Sequence, residues 1–350
     1  MEKVLVAMSG GVDSSVTAYL LQQAGCELVG ATMRLYAGDE SGDSTCCSLA
    51  DVEDARSVAV RLGIPFYVFN FTDDFKAAVM DRFAASYERG ETPNPCIECN
   101  RYMKFERLLR RAREIGCDAI ATGHYARIEQ EGDRWLLKKA ADLSKDQSYV
   151  LYSLTQDQLA HTRFPLGEFS KSEAREIAEQ QGFLNARKKD SQDICFVPDG
   201  DYAAVIRRLT GREYPAGAFV DMAGNRLGTH KGLIHYTIGQ RKGLGLSLPA
   251  PLYVCEKRVE DNTVVLGPNE SLFTTELTAR DCNWIRWETP PDSFRCCARI
   301  RYQHAEQPAT VYAEGDTMRV VFDQPQRAVA KGQAVVLYDG DTVLGGGTIN

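Results

Sequence analysis

The chain contains no apolar run approaching the roughly 20 residues that cross a membrane. The five apolar residues after Met1-Glu2-Lys3 are too few for a secretory signal. A cytoplasmic protein with no membrane attachment is expected. No internal repeat or low-complexity tract is present, which sets aside solenoids and disordered spacers. There is no basic excess either. The net charge of −7 leaves nucleic-acid binding to local patches rather than bulk attraction. Cys96 and Cys99 form a C-x-x-C pair with no second copy, so a four-cysteine structural zinc site is not expected.

What is present is ordinary in bulk. The chain has 350 residues, 44% of them hydrophobic and 25% charged, enough for two or three domains with cores of their own. Near its start, Val4-Leu5-Val6-Ala7 runs through Met8-Ser9-Gly10-Gly11-Val12-Asp13-Ser14-Ser15 into a segment of helical spacing at Val16, Ala18, Tyr19, Leu20 and Leu21. A strand that turns through glycines into a helix N-terminus is a phosphate cradle: the backbone can approach closely, and N–H groups and the helix dipole face the anion. The spacing is neither G-x-G-x-x-G nor G-x-x-x-x-G-K-[ST], so neither a dinucleotide fold nor a Walker loop is implied. Ser-Gly-Gly-Val-Asp-Ser instead resembles the PP-loop of ATP pyrophosphatases, which cleave ATP to AMP and pyrophosphate.

Up to about residue 125 strands and helices alternate. Strands are expected over 28–33, 64–71 and 118–122, and helices over 52–62, 75–87 and 105–115, with a proline-containing loop over 89–99. This order implies a doubly wound parallel sheet with ligands at the carboxyl ends of its strands, where Ser9, Met33 and Gly123 fall. A hairpin is expected at 126–128 and 135–138, then helical segments to about 209. Beyond that, short period-two runs broken by Gly and Pro take over, with strands at 298–301, 309–312, 318–322 and 335–338. The fold class expected is α/β: a PP-loop (adenine nucleotide alpha hydrolase-like) domain over 1–208, a small β-rich middle domain over 209–273, and a C-terminal antiparallel β-barrel over 274–350.

The eleven cysteines of a cytosolic chain suggest buried thiols, metal ligands or reactive sulfurs rather than a disulfide framework. Cys46-Cys47 and Cys296-Cys297 are adjacent and ill suited to one tetrahedral site. Cys26, Cys117, Cys255 and Cys282 sit in strand-like contexts expected in the core. Cys96 and Cys99 lie in a proline-stiffened stretch ahead of a basic segment. Cys195 follows Arg187-Lys188-Lys189, whose cations would favour a thiolate; a core thiol beside Ile194 and Phe196 is the equal alternative. Basic clusters at Arg107, Arg110, Arg111 and Arg113 and at Arg241-Lys242 could be RNA-facing or merely solvated.

Over its whole length the chain resembles the tRNA-specific 2-thiouridylase family, which installs sulfur on C2 of the wobble uridine. The resemblance is carried by the PP-loop stretch, Thr92-Pro93-Asn94-Pro95, Cys99-Asn100, Lys104-Phe105, Ala121-Thr122-Gly123-His124-Tyr125 and Lys145-Asp146-Gln147-Ser148-Tyr149. Further on it is carried by Ser191, Ile194-Cys195-Phe196, Tyr236-Thr237-Ile238-Gly239-Gln240-Arg241, Arg301-Tyr302 and Val343-Leu344-Gly345-Gly346-Gly347. It implies that Ala7, Met8, Ser9, Gly10, Gly11, Val12, Asp13, Ser14, Met33 and Gly123 hold ATP with Mg2+. Cys195 would carry a persulfide received from a sulfur-relay donor protein. Cys99 would be the partner thiol, forming a transient disulfide with Cys195. Asn94, Pro95 and Cys96 would meet the target base, while His124, Lys145, Asp146, Gln147, Arg301, Tyr302 and Gln333 would touch tRNA. A monomer is expected.

The chemistry agrees with that plan. A uridine C2 oxygen leaves poorly, and adenylation converts it into AMP, a good leaving group; the base must be taken out of the anticodon-loop stack to be reached. Arg301-Tyr302 would pair a phosphate-binding cation with a stacking ring. One departure stands out: Cys96 occupies a position where many family members carry aspartate. Cys96, Cys99 and Cys195 together would make a three-thiolate site for a [4Fe-4S] cluster, a rival to the persulfide relay. Two other readings stay open: a PP-loop enzyme adenylating another base or a small metabolite, and a non-catalytic ATP-binding RNA module with a structural metal.

Overall fold

The computed structural model of the chain describes residues 1–36, 49–188, 194–197, 199–247 and 250–350. Strand β1 (Lys3–Ala7) is the hydrophobic centre of the first domain, with Val4, Leu5 and Val6 wholly excluded from solvent. An apolar run buried on both faces is what a central parallel strand requires. Truncating Leu5 to Ala would cost about 2–5 kcal/mol. Helix α1 (Val12–Gln23) follows, then β2 (Glu27–Arg34), α2 (Leu49–Leu62) and β3 (Phe66–Asn70). Short α3 (Thr72–Phe75) continues through a π-helical stretch, Lys76–Met80, into α4 (Asp81–Glu88).

The next helical run differs from expectation. It begins with α5 (Pro95–Glu98), widens to a π-helix over Cys99–Arg107, and ends in α6 (Leu108–Glu114). The expected loop over 89–99 is therefore too long. Pro95 starts the helix instead of breaking it, because its missing N–H costs nothing in the first turn, and Asn94 caps by accepting from Cys96 N at 3.1 Å. The C-x-x-C pair thus rides on a helix. Strand β4 (Ala119–Ala121) completes the central parallel pairing on the far side of β1, giving the order β3-β2-β1-β4.

The hairpin of β5 (Ala126–Glu131) and β6 (Arg134–Lys139) leaves this sheet altogether. Helix α7 (Gln156–Ala160) leads to β7 (Thr162–Arg163), which adds a fifth strand beside β4, and α8 (Lys171–Gln180) follows. Both α7 and α8 open with reciprocal capping boxes, Thr155/Gln158 and Ser170/Glu173. Helix α9 (Tyr202–Thr210) ends at Gly211, which takes a left-handed φ of +65°. The middle sheet holds β8 (Gly217–Val220), β9 (Arg226–His230), β10 (Tyr253–Arg258) and β11 (Thr263–Gly267) in the order β10-β11-β8-β9.

The C-terminal strands are β12 (Phe273–Trp284), β13 (Ser293–Arg299), β14 (Gln307–Glu314), β15 (Thr317–Arg327), β16 (Ala334–Asp339) and β17 (Thr342–Ile349). They run β12-β15-β14-β13-β16-β17, and β17 pairs back onto β12 to close a barrel. Its interior holds Leu277, Val311, Val320, Phe322, Val335 and Leu337. The expected strand over 298–301 ends earlier, at Arg299, so Arg301-Tyr302 lies in the bend beyond it. Hairpin β5–β6 adds to this barrel sheet through Lys138 opposite Thr342. One apolar core accordingly runs from Leu5 and Phe105 of the first domain to Val336, Tyr338 and Val343 of the barrel. No helix among the described residues is long and apolar enough to cross a membrane.

Candidate active site

The glycine turn between β1 and α1 has the geometry of an anion cradle. Gly10 adopts φ +75°, and a Cβ there would stand 2.3 Å from the carbonyl oxygen of Asp51; no L-residue fits. Gly11 occupies the N-cap with no side-chain cap, so the first helical N–H groups are left to a ligand. The turn is pinned from several sides. Ser9 N donates to Ser14 Oγ at 3.1 Å, and Ser14 Oγ and Ser15 Oγ donate to Gly11 O at 3.1 and 3.0 Å. Thr32 on β2 donates to Met8 O at 2.6 Å. Gly123, just past β4, packs flat on α1: a Cβ would fall 2.9 Å from the backbone of Asp13 and of Ser14. Ser9 and Gly123 thus meet at the carboxyl ends of adjacent strands β1 and β4, and Met33 stands near the end of β2.

Residues distant in the chain complete the cradle. Lys171, at the start of α8, donates to both oxygens of Asp13 at 2.8 Å, and Tyr125 donates to Asp13 Oδ1 at 2.8 Å. Buried Asn185 donates to Gly10 O and Ser15 Oγ at 2.9 Å. Lys188 joins Asp51 and Asp54 of α2 at 2.6 and 2.7 Å. None of Lys171, Tyr125 or Asn185 was visible as a site residue in the sequence; the Asp13 carboxylate in the first turn, in want of a counter-charge, was the one available signal.

The thiols occupy the other face. Cys96 is exposed, while Cys99 and Cys195 are half-buried thiols packed on the first core cluster beside Ile194. The segment before Cys96 is tied to the barrel: Thr92 N donates to Lys331 O at 2.7 Å and Gln333 Nε2 to Thr92 O at 2.6 Å. Tyr302, 40% exposed, donates to Asp146 O at 3.2 Å and stands edge-on to Tyr149. Burial raises its phenol pKa, and Asp146 and, more weakly, Cys96 push the same way.

Several of the residues expected to touch tRNA lie wholly or partly inside. His124 is buried, with Nδ1 2.6 Å from Thr122 Oγ1 and Nε2 3.3 Å from Lys104. Burial and the Lys104 charge push its pKa well below the usual imidazole value, which keeps the ring neutral. Asp146 is buried too, accepting from Ala140 N, Ser148 N and Ser148 Oγ, and serves as an internal anchor. Gln147 is half-buried, its side chain accepting from Tyr125 N at 2.9 Å, and Lys145 is half-buried beside it. Of the cysteines expected in the core, Cys117 is buried, but Cys26, Cys255 and Cys282 are only half so, because strand ends and edges carry them. The basic cluster at 107–113 is largely ion-paired, with Asp74, Glu114 and Asp157. Among the described residues no group of three His, Cys, Asp or Glu side chains is placed to hold a metal. Cys96, Cys99 and Cys195 are thus not gathered into a cluster site. Cys46-Cys47, Ser191 and Lys189 lie outside the described residues.

An α/β sheet with an SGG-type cradle, a four-stranded middle sheet and a closed β-barrel defines a PP-loop nucleotide-using enzyme with two appended β domains. Family models match it piece by piece: a tRNA methyl transferase HUP domain over residues 2–199, a tRNA methyl transferase PRC-barrel domain over 205–268, and an aminomethyltransferase beta-barrel domain over 274–349. The tRNA-specific 2-thiouridylase MnmA of Clostridioides difficile (strain 630) is 51% identical over 99% of this chain and 98% of its own. That of Lachnoclostridium phytofermentans is 52% identical over 100% and 99%. The chain belongs to the tRNA-specific 2-thiouridylase family. Likeness to solved structures is distant: a 4-thiouridine synthetase–RNA complex with bound ATP aligns over 60% of this chain and 50% of that one, at 20% identity and a TM-score of 0.39.

Proposed function

We propose that this protein uses ATP to replace the C2 oxygen of the tRNA wobble uridine with sulfur. The domain descriptions speak of methyl transfer, whereas full-length relatives at about half identity are named for thiolation. The phosphate cradle and the helix-borne thiols favour the latter. The observation that carries the reading is the pairing of two features in one first domain, a glycine cradle built to hold phosphates and a helix-borne C-x-x-C whose preceding segment is bonded to the barrel.

In the first half-reaction the uridine C2 oxygen attacks the α-phosphorus of ATP, and pyrophosphate leaves. The cradle N–H groups of residues 10–14 would bind its developing charge, with Mg2+ neutralising the phosphates. In the second, the terminal sulfur of a Cys195 persulfide attacks C2 and AMP departs, leaving a C2–S–S–Cys195 linkage. The Cys99 thiolate then attacks Cys195 Sγ. A Cys99–Cys195 disulfide forms, the electron pair of the broken S–S bond stays on the sulfur attached to C2, and 2-thiouridine is released. An external thiol reductant resets the pair. The persulfide sulfur comes from a sulfur-carrying donor protein, and tRNA lies across Arg301, Tyr302, Lys145 and the segment 94–96. We assign domain limits of 1–208, 209–273 and 274–350, and cytoplasmic action by a monomer.

Thiolation of tRNA by the Cys195→Ala protein, given ATP and a persulfide donor, tests the reading. Loss of thiolation with retained tRNA-dependent pyrophosphate release is expected. Undiminished thiolation would overturn it.

A further inference from the structure

The thiol-bearing segment of residues 91–101 packs on the core along one side, through Pro95, Ile97 and Asn100, and borders a cleft on the other. Glu91, Pro93, Asn94, Pro95, Ile97 and Glu98 line a cleft of about 270 Å³ that opens toward α4 and the barrel. Cys99 rests on the core side, and on the cleft side ion pairs hold the segment at both ends. At the start, buried Glu91 accepts from Arg280 Nη2 at 2.9 Å and from Arg89 Nη2 at 2.7 Å. Burial alone would raise its pKa, but the bonds from Arg89 and Arg280 outweigh that and hold the carboxyl below its usual range. At the end, Arg101 makes a two-pronged pair with Asp281, with Nη2 to Oδ1 at 3.1 Å.

Arg280 and Asp281 are consecutive residues of β12 in the barrel. They sit where its register against β17 slips between Arg280 and Asn283, and Asp281 has a left-handed φ of +53°. A bulge lets two neighbouring side chains aim the same way, where a regular strand would send them to opposite faces. For a non-glycine residue this conformation carries a cost of about 1–3 kcal/mol. The outcome is that one short piece of the barrel holds both ends of the segment carrying Cys96 and Cys99.

We propose that Arg280 and Asp281 are positioning residues, a two-point clamp through which the barrel sets the aim of the Cys99 thiol. The clamp rests on the thiolation reading for its purpose. A barrel seated on tRNA would then fix the thiol relative to the bound RNA, and misplacing a reacting group by about 1 Å costs on the order of a hundredfold in rate.

The test combines Arg280→Ala/Asp281→Ala with the charge-reversed pair Arg101→Asp/Asp281→Arg. Three readouts are taken: ATP affinity, the kcat of tRNA thiolation, and the alkylation rate of Cys99 by iodoacetamide followed by mass spectrometry. Expected are an ATP affinity within twofold of the parent, a kcat lower by at least tenfold, and a Cys99 alkylation rate altered at least threefold. The reversed pair should regain kcat relative to Asp281→Arg alone. Thiolation and alkylation both within twofold of the parent would overturn the clamp. Should the double alanine variant fail to fold, the reversed pair decides: regain supports the clamp and no regain overturns it. The alkylation arm is independent of the proposed reaction. A parent protein that does not thiolate tRNA defeats the functional reading, while the clamp still stands or falls on Cys99.

Discussion

The Lys171→Met substitution offers a direct probe of the phosphate cradle. Lys171 is nearly enclosed, with 12% of its side chain exposed, and its ammonium sits 2.8 Å from both oxygens of Asp13. Methionine keeps the length and apolar stem but removes the charge. Asp13 would then face the incoming triphosphate with only the Tyr125 hydroxyl and the helix dipole to temper it. Hydrogen bonds to charged groups contribute about 1.5–3 kcal/mol. With Asp13 31% exposed, solvent screening reduces this to about 1–2 kcal/mol. Since 1.4 kcal/mol is a factor of ten, ATP affinity should fall about 5- to 30-fold. Isothermal titration of ATP into the full-length protein measures this directly. The Asp13→Asn/Lys171→Met double variant separates causes: if repulsion by an uncompensated carboxylate is responsible, removing that carboxylate restores most of the affinity. An unchanged dissociation constant in Lys171→Met would refute the argument that Asp13 needs its counter-charge.

Two further outcomes are expected. Gly123→Ala drives a methyl into the backbone of Asp13 and Ser14, where 2.9 Å is available. It should weaken ATP binding and lower stability by about 1–3 kcal/mol, measured by titration and thermal melting. Lys257 on β10 is desolvated against Tyr87 and the Glu91 carbonyl, and burial brings its pKa down to about 8, the nearby Glu91 charge opposing. A lowered lysine pKa means the unfolded chain binds more protons between about pH 8 and pH 10.5, so this residue makes stability rise with pH across that window. Denaturant melts at pH 7.5 and 9.5 should show a smaller rise for Lys257→Met than for the parent.

How much of this was legible in the sequence depends on chain distance. The cradle was, because strand, glycine turn, Asp13 and helix are contiguous and each residue type has a local physical reason to be there. Lys171, Tyr125 and Asn185 were not, since each reaches the cradle from 112 to 175 residues away. Pro95 was misread as loop punctuation because position within a first helical turn reverses its meaning. The burial of His124 and Asp146 was not legible either, because the polar partners that let each lie inside are set by the fold. The paired ends of 91–101 had no signature at all, because a bulge in a strand is a property of register, not of composition.

Hairpin β5–β6 lies in sequence within the first domain and in space on the barrel. Arg127 holds Asp341 at 2.7 Å, Lys139 holds Glu306 at 2.7 Å, and Arg134 donates to Ile285 O at 2.9 Å. On the ribosome, then, a nascent chain that has already completed its nucleotide cradle still carries a hairpin whose neighbour has not been made. Strand β17, which both shuts the barrel and receives that hairpin, comes after every other strand described. Assembly is therefore gated by the latest strand: a chain halted before it can form the cradle but leaves an edge of sheet open for the wrong partner. Chaperone demand and degradation of truncated products should be governed by that interval of synthesis, not by the slower-looking α/β domain that precedes it.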